Sequence, residues 1–411
     1  MANQAIVIAG GGLAGATAAK TLRTEGYAGR VTLLASEART PYIRPPLSKD
    51  FLLGKAGEES VEVVPEDWYQ ENDVELLLGV PATGLDPGGH VVALGDGRRL
   101  SYSKLLVATG AQPRRIPFPG ADLKGVMTFR TFEDSLNLRA LLADGGRNVV
   151  MIGSGWIGME LAAAARTYGN DVTLLGLEDI PLSTAIGPEL GSFFRQLHEE
   201  QGVGFRLPAT AAAIEGRDGR VTAVRTGSGE SLPADVVIIA VGVVPDTALA
   251  EAGGLAIQNG ILVDAGLNTS APDVLAAGDA ANALHPFTGE HHRSEHWANA
   301  LNGGKVAAKS MLGQDAMLDV VPYFYTDQFS VSMEYSGYPS LASGSSPLIR
   351  GSLEEGSFIA FWLQQDKVVA GMSVNQRRVQ KPIKALISHR VVVDARRLAD
   401  PDVPLEELLP G

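Results

Sequence analysis

Two glycine-rich segments have the residue types and spacing that bind the pyrophosphate of a dinucleotide. They read Gly10-Gly11-Gly12-Leu13-Ala14-Gly15 and Gly153-Ser154-Gly155-Trp156-Ile157-Gly158. Glycine lets the backbone turn tightly and approach a ligand closely, and the first turn of a following helix offers free N–H groups and the positive end of its dipole. The sequence therefore predicts two dinucleotide sites. Their residues are Gly10, Gly12, Leu13, Ala14 and Gly15 in the first motif, and Gly153, Gly155, Trp156, Ile157 and Gly158 in the second.

Both motifs stand between the elements that such a site requires. Residues 5–9 are an apolar run of strand length, and residues 148–152 form a similar strand that is apolar after Asn148; both lead directly into the glycines. A helix of small residues follows each motif, and residues 30–34 and 171–175 then form a second strand. Glu37 follows the first of these, where a carboxylate can bind the ribose of a dinucleotide. The alternatives are an exposed loop acid for Glu37 and glycines that only permit tight turns.

Three more apolar runs predict further strands of the same sheets. Residues 105–110, 236–242 and 275–279 each contain or end beside a glycine, and each would return the chain to its nucleotide. After Pro322 the sequence alternates aromatic and polar residues, which indicates a separate α+β module.

The composition limits the kinds of chemistry that the chain can perform. None of its 411 residues is cysteine, which excludes disulfides, thiolate metal sites and a redox-active cysteine pair. The electrons of a redox reaction must then reside on a cofactor. A net charge of −13 disfavours nucleic-acid binding, which requires cationic contacts to phosphates. Residues 367–397 nevertheless carry eight Lys and Arg against Asp394 alone, so an acidic partner could dock there; the alternative is a solvated basic face.

No membrane segment and no metal site are expected. The longest apolar stretches are far shorter than the ~20 residues that span a bilayer. The chain begins Met1-Ala2-Asn3-Gln4, with no basic leader ahead of its apolar run, so a cytoplasmic protein is expected. His285, His291, His292 and His296 invite a metal interpretation, but their segment has no carboxylate cluster and no HExxH spacing.

These motifs and several further segments resemble the FAD-dependent NADH:ferredoxin reductases of bacterial oxygenase systems. That family belongs, with the apoptosis-inducing-factor-like oxidoreductases, to the flavoproteins that bind two dinucleotides. The most specific segment is Arg44-Pro45-Pro46-Leu47-Ser48-Lys49. The resemblance covers essentially the whole chain and continues through residues 108–110, 242–246, 277–279, 297–300 and 323–328.

The resemblance implies an α/β fold with two Rossmann-like dinucleotide-binding domains and a C-terminal α+β domain. The arrangement would be that of glutathione reductase, in which the NAD domain is inserted into a split FAD domain. We expect the FAD-binding domain at residues 1–112 and 245–322, the NAD-binding domain at 113–244, and the domain that covers the flavin at 323–411. Monomer and homodimer both remain open.

The resemblance also implies three catalytic residues. Lys49 would lie beside flavin N5, paired with Glu160 near the nicotinamide, and Trp297 would begin a helix whose N-terminus points at the pyrimidine edge of the flavin. A solvent-facing helix acid is the alternative for Glu160, and ordinary core packing is the alternative for Trp297.

The remaining site residues follow from the same resemblance. Glu37 would bind the adenosine ribose of FAD, Asp279 a ribityl hydroxyl, and Arg130 the cofactor more generally. The full FAD set is Gly10, Gly12, Leu13, Ala14, Gly15, Glu37, Arg44, Lys49, Ala82, Ala108, Thr109, Gly110, Arg130, Gly278, Asp279 and Trp297. The full NAD set is Gly153, Gly155, Trp156, Ile157, Gly158, Glu160, Glu178 and Gly242.

The chain departs from the family pattern at one position. The family usually ends the second strand of its NAD domain with a glutamate, whereas this chain has Gly176, then Leu177 and Glu178. No Lys or Arg lies between Val172 and Ser183 to hold a 2′-phosphate, and Glu178 could still reach a ribose. NADH is therefore favoured over NADPH.

The implied activity is hydride transfer from NADH to FAD, followed by single-electron transfer to a [2Fe–2S] ferredoxin of acidic character that docks on residues 367–397. Two alternatives stay open. One is a flavoenzyme that reduces a small molecule, such as a quinone or O₂. The other is a redox-signalling flavoprotein like apoptosis-inducing factor.

Overall fold

The computed structural model describes residues 5–410, so Met1–Gln4, on which the expected lack of a leader rests, lie outside the described residues. The described chain forms two compact units. The first comprises residues up to 43, 58–112 and 244–322, and the second comprises residues 44–57, 113–243 and 323 onward. The domain bounds expected from the sequence stay a prediction.

Strands outnumber helices in the described residues, and each glycine motif lies between a strand and a helix. The strands are β1 Ala5–Ala9, β2 Arg30–Leu34, β3 Val74–Leu77, β4 Ala82–Asp86, β5 Val91–Leu94, β6 Arg99–Ser101, β7 Lys104–Val107, β8 Ala111–Pro113, β9 Val126–Thr128, β10 Asn148–Ile152, β11 Asp171–Leu175, β12 Val203–Arg206, β13 Ala211–Arg217, β14 Arg220–Thr226, β15 Ser231–Pro233, β16 Val236–Ile239, β17 Val243–Pro245, β18 Ile261–Val263, β19 Val274–Ala276, β20 Ala281–His285, β21 Glu290–His292, β22 Tyr323–Gln328, β23 Val331–Gly337, β24 Leu348–Ser352, β25 Ser357–Gln364 and β26 Lys367–Val374.

The helices are fewer than the strands, and several of them are longer than any strand. They are α1 Leu13–Thr24, α2 Glu66–Glu71, α3 Phe132–Leu142, α4 Trp156–Thr167, α5 Ser183–Ile186, α6 Pro188–Glu200, α7 Ala248–Ala252, α8 Trp297–Met311, α9 Pro339–Ala342, α10 Gln380–Ser388 and α11 Ala395–Ala399. Short 3₁₀ turns form at Pro45–Ser48, Glu58–Val61, Gly278–Ala280 and Leu405–Leu408.

The first unit is built on a parallel sheet with the strand order β19-β7-β1-β2-β3. β1 is the central strand, and all five of its residues are buried, which explains why its sequence is a continuous apolar run. The Ala-rich face of α1 packs against this sheet, because small side chains let a helix approach the strands closely. A smaller antiparallel sheet, β4-β5-β6, extends the unit.

The second unit repeats the plan and adds a second layer. Its parallel sheet has the order β12-β11-β10-β16-β9, again with the strand that precedes the glycine motif at the centre. The C-terminal residues form an antiparallel sheet, β22-β23-β26-β25-β24, with α10 against it. Met151 and Leu161 share one buried core with Met333 and Phe358 of this antiparallel sheet.

The fold class predicted from the sequence is confirmed. Two parallel sheets carry the two glycine motifs, and an antiparallel sheet with helices follows residue 322. Across residues 5–410, the helices all fall short of the length and apolarity required to cross a bilayer.

Candidate functional site with two dinucleotide cradles

The first glycine motif forms an open cradle at the end of β1. Gly10 has φ +136°, and a side chain there would collide with the Ala108 carbonyl of the neighbouring strand. A side chain on Gly15 would collide with the Gly10 carbonyl, so this glycine lets α1 pack closely. Gly12 has no atom within 4 Å of the place where a Cβ would stand, and it is the N-cap residue of α1, without a side-chain hydrogen bond to the helix. The first turn of α1 therefore presents free N–H groups to an open space.

The second motif reproduces the first position by position. Gly153 has φ +118° and faces the Ala240 carbonyl, and Gly158 faces the Gly153 carbonyl as closely as Gly15 faces Gly10. Gly155 is open on its Cβ side and begins α4 without a side-chain cap. Ile157, in the first turn of α4, is 44% exposed. Both turns therefore fit the pyrophosphate of a dinucleotide, which needs close backbone approach and free amides.

The predicted ribose ligand Glu37 has a partner that the sequence did not reveal. The hydroxyl of the buried Tyr42 donates a hydrogen bond of 2.6 Å to Glu37 Oε2, which fixes the carboxylate after β2. Two other predicted FAD residues, Thr109 and Gly110, are hydrogen-bonded to Asp246. Thr109 Oγ1 donates to the Asp246 carbonyl at 2.6 Å, and the Asp246 amide donates to the Gly110 carbonyl at 2.9 Å.

Helix α8 starts at Trp297, as predicted, and lies directly on α1. A Cβ on Gly304 would overlap the Ala14 carbonyl, so only glycine permits this close packing. Asp279 is 8% exposed in the 3₁₀ turn that follows β19, and this turn contacts α8. Burial lowers the pKa of His296, the N-cap residue of α8, to about 4, and the charge of Asp279 opposes this shift.

Ala82 begins β4 and packs on the core of this unit.

In the second unit, Lys49 and Glu160 form a buried ion pair. Lys49 Nζ lies 2.7 Å from Glu160 Oε1, and their side chains are 12% and 4% exposed. The 3₁₀ turn Pro45–Ser48 presents Lys49, and its two prolines restrict the backbone. Glu160 is therefore not a solvent-facing helix acid.

Three further polar side chains surround this pair, and the sequence analysis gave none of them a role. The Ser48 hydroxyl donates to Glu160 Oε2, and the Thr326 hydroxyl donates to Glu160 Oε1 at 2.6 Å. The Tyr325 ring centroid lies 5.3 Å from Lys49 Nζ. Burial, with the charges of Asp327 and Glu160, raises the pKa of Tyr325 to about 12. Their one sequence signal was membership of the segments 44–49 and 323–328, which carry the family resemblance.

The two arginines predicted to contact FAD are neighbours in the second unit. Arg44 Nη1 donates a hydrogen bond of 2.5 Å to the Arg130 carbonyl, and the Arg130 amide donates to Asp134 Oδ2 at 2.9 Å. Asp134 also completes a capping box with Thr131 at the start of α3. The segment that carries Lys49 is thus tied to the start of α3.

The predicted ribose ligand Glu178 follows the end of β11 and is already held by backbone donors. Glu178 accepts hydrogen bonds from the Ser183 and Thr184 amides at 3.1 and 3.2 Å, so its carboxylate already caps the start of α5. Leu177 is 75% exposed beside it. A Cβ on Gly176 would collide with the side chains of Ser154 and Leu207, so a larger residue there requires one of these side chains to move. The ribose role of Glu178 stays a prediction.

The other predicted NAD residues lie around the second cradle. The Trp156 ring packs edge-on against Phe194 and Phe324, with centroids 5.6 and 5.3 Å away. Gly242 has φ +92°, and its carbonyl accepts from the Arg114 amide at 2.9 Å. As for metals, the described residues contain no group of three His, Asp or Glu side chains that could hold an ion.

A protein with two such cradles, each on its own parallel sheet, is of the class that binds two dinucleotides, typical of nicotinamide-linked flavoproteins. The comparison with known families agrees. The chain belongs to the pyridine nucleotide-disulphide oxidoreductase family, whose model matches residues 4–304, and residues 323–409 match the reductase C-terminal family.

Relatives and solved structures match over the full length. A probable ferredoxin reductase, CtmF, of Castellaniella defragrans is 36% identical and covers 99% of both chains. The ferredoxin–NAD(+) reductase component of the anthranilate 1,2-dioxygenase system of Burkholderia cepacia is also 36% identical, over 100% of both. The crystal structure of the covalent putidaredoxin reductase–putidaredoxin complex is similar with a TM-score of 0.95 at 34% identity, covering 99% of this chain and 98% of that chain.

The geometry of the second cradle predicts opposite outcomes for two glycine substitutions. Gly158→Ala should destabilise the protein by about 1–3 kcal/mol, because its Cβ would overlap the Gly153 carbonyl. Gly155→Ala should cost less than about 1 kcal/mol as an N-cap change. It should nevertheless weaken binding of a nicotinamide dinucleotide about tenfold, because the methyl group fills the space that a charged phosphate needs. Urea denaturation and nucleotide titration measure the two effects. Equal stabilities would contradict the packing role of Gly158, and unchanged nucleotide binding by Gly155→Ala would contradict the assignment of the cradle.

Proposed function

We propose that this protein takes hydride from NADH onto a bound FAD and passes the electrons singly to a [2Fe–2S] ferredoxin of an oxygenase system. The observation that carries the proposal is the duplicated glycine cradle in a chain without cysteine. Such a chain has no disulfide to reduce, so electrons from a nicotinamide must leave through a cofactor. The names of the full-length relatives support the same activity.

We assign FAD to the cradle of the first unit. Glu37, held by Tyr42, provides an acceptor for the adenosine ribose, and Asp279 provides one for a ribityl hydroxyl. The start of α8 at Trp297 supplies a positive dipole end, which stabilises negative charge on a reduced ring. When bound, FAD accepts a hydride as two electrons and releases them one at a time.

In this proposal the Lys49–Glu160 pair orients the hydride transfer from the nicotinamide. Both side chains are almost fully desolvated, so each charge depends on the other. Ser48 and Thr326 fix both carboxylate oxygens of Glu160, which in turn fixes the ammonium group of Lys49. The contribution of these residues is orientation and a preset electric field, which account for much of enzymatic rate enhancement.

The direct test is anaerobic titration of the flavoprotein with NADH, followed by mixing with a [2Fe–2S] ferredoxin and cytochrome c. One equivalent of NADH should bleach the flavin band, and cytochrome c reduction should require the ferredoxin. A flavin band that NADH leaves unchanged would refute the proposal. Rapid turnover with a quinone or O₂ and none with ferredoxins would instead identify a small-molecule reductase, and a long-lived reduced complex without turnover would identify a signalling flavoprotein.

We further propose NADH rather than NADPH as the donor. Glu178 is held beside the end of β11 by two backbone amides, where its negative charge opposes a 2′-phosphate. The segment from Val172 to Ser183 supplies no Lys or Arg to offset that charge.

Neutralising this acid should shift the preference. Glu178→Gln should lower the NADH/NADPH ratio of kcat/KM by about twofold to fivefold, because a partly exposed charge contributes only modestly. Asp179→Asn, at the exposed adjacent acid, is the matched control and should leave the ratio unchanged. Steady-state kinetics with both nucleotides measures the ratio, and identical ratios for both variants would rule out a role for Glu178.

The basic surface of the C-terminal residues is our candidate for ferredoxin docking. Its exposed members are Arg377, Arg378, Lys381, Arg390, Arg396 and Arg397. Lys384 does not belong to this surface, because its Nζ lies 4.1 Å from the Tyr323 ring centroid and burial lowers its pKa. An acidic ferredoxin would be steered towards the exposed cations.

A paired charge removal tests this docking surface. The Arg377→Gln, Arg378→Gln double variant should lower kcat/KM for an acidic ferredoxin by about tenfold at low ionic strength, with a smaller effect in high salt. The Arg217→Gln, Arg220→Gln double variant removes the same charge from another exposed place and is the control. If both double variants slow ferredoxin reduction equally, the effect is one of net charge and the docking assignment is wrong.

A further inference from the structure

A chain of buried hydrogen bonds leads from Glu160 away from Lys49 into the interior of the second unit. Thr326 Oγ1 donates to Glu160 Oε1 at 2.6 Å, and Gln328 Nε2 donates to Thr326 Oγ1 at 3.2 Å. Gln328 Oε1 in turn lies 2.9 Å from His198 Nε2. Glu160, Thr326, Gln328 and His198 are each 4% exposed or less.

The charge of Glu160 sets the direction of every bond in this chain. Glu160 pairs with Lys49, so its carboxylate oxygens only accept hydrogen bonds. The Thr326 hydroxyl must therefore donate its single proton to Oε1. Thr326 then accepts from the Gln328 amide nitrogen, which turns the amide oxygen of Gln328 towards His198. An amide oxygen only accepts, so His198 must carry its proton on Nε2.

His198, at the far end of this chain of hydrogen bonds, is neutral and does not act as a second cation for Glu160. His198 is fully buried, with ring centroids of Phe329 and Phe205 at 4.9 and 6.3 Å. This burial lowers the pKa of His198 to about 4, so the ring is neutral at physiological pH. Nδ1 of His198 is buried and has no hydrogen-bond partner among the described residues. The neutral tautomer with Nε2–H satisfies Gln328 and places no second cation near Glu160.

We propose that Thr326, Gln328 and His198 are positioning residues for the Lys49–Glu160 pair. Their three aligned donors support the negative charge on Glu160 Oε1 and direct that oxygen at Lys49. The chain links α6 and α4 through β22, so the C-terminal residues take part in orienting a group on the helix of the second cradle. A buried carboxylate needs such donors, since an unmet charge in the interior is strongly destabilising.

This inference rests on the proposed function, in which Lys49 and Glu160 orient the hydride transfer. Its test is a double-mutant cycle, which separates a coupled role from a general loss of stability. Thr326→Val keeps the shape and removes the donor to Glu160, and Glu160→Gln removes the charge. Two quantities are measured for each variant: the limiting rate of flavin reduction by NADH in stopped flow, and the midpoint potential of the bound flavin.

Thr326→Val should slow flavin reduction about tenfold and shift the midpoint potential in the otherwise native protein, but change neither in the Glu160→Gln background. Thr326→Ser keeps the hydroxyl donor, so its rate of flavin reduction and its midpoint potential should be close to those of the native protein. Gln328→Met breaks the next bond at similar volume and should give a smaller effect of the same kind.

Ser336→Ala is the matched control, because it removes a buried hydroxyl of the same antiparallel sheet that bonds Gln380 Oε1 at 2.7 Å, outside the chain to Glu160. It should lower the free energy of unfolding in urea and leave both flavin quantities unchanged. Equal effects of Thr326→Val in both backgrounds, or a matching effect of Ser336→Ala, would overturn the inference. A Glu160→Gln variant with native rate and potential would overturn the proposed role of the ion pair as well.

Discussion

The buried carboxylate of Glu160 is the constraint on which the arrangement of the second unit depends. A charge that is 4% exposed must be met by donors from several directions. Here they come from distant parts of the chain: Ser48 and Lys49 from the proline turn, and Thr326 from β22. Residues 44–57 group with the second unit although in sequence they stand between strands of the first, and the bonds of Ser48 and Lys49 to Glu160 are among the contacts that join them to it.

The same unit shows how the C-terminal sheet serves more than one purpose. Its buried face shares a core with α4 and β10, and its first strand, β22, provides the aromatic ring beside Lys49 and the hydroxyl on Glu160. The residues that follow this sheet have the opposite character, because they carry exposed cations in an otherwise acidic protein. The C-terminal residues therefore contribute in two ways to the proposed function: β22 contacts Lys49 and Glu160, and the basic segment is the proposed docking surface for a ferredoxin.

The sequence predicted the parts that depend on local rules. Apolar runs of five residues became the central strands, and the glycines at 10 and 153 have the positive φ values that their turns require. The resemblance paired Lys49 with Glu160 across more than a hundred residues, which periodicity alone could not have done. Tyr42 on Glu37 and the chain to His198 were missed, because a tyrosine, a threonine and a glutamine in strands or loops have no local signature of their tertiary partners.

The glycine at 176 has a consequence for how this cofactor site can change over evolutionary time. A Cβ at this position would lie so close to the Ser154 hydroxyl and the side chain of Leu207 that any larger residue requires one of them to move. A single replacement of this glycine by glutamate, the residue usual in the resembled family, should therefore destabilise the protein. Residues 154 and 176 should vary together among descendants of this chain, so the acid at 178 is the position where selection can adjust donor preference one step at a time.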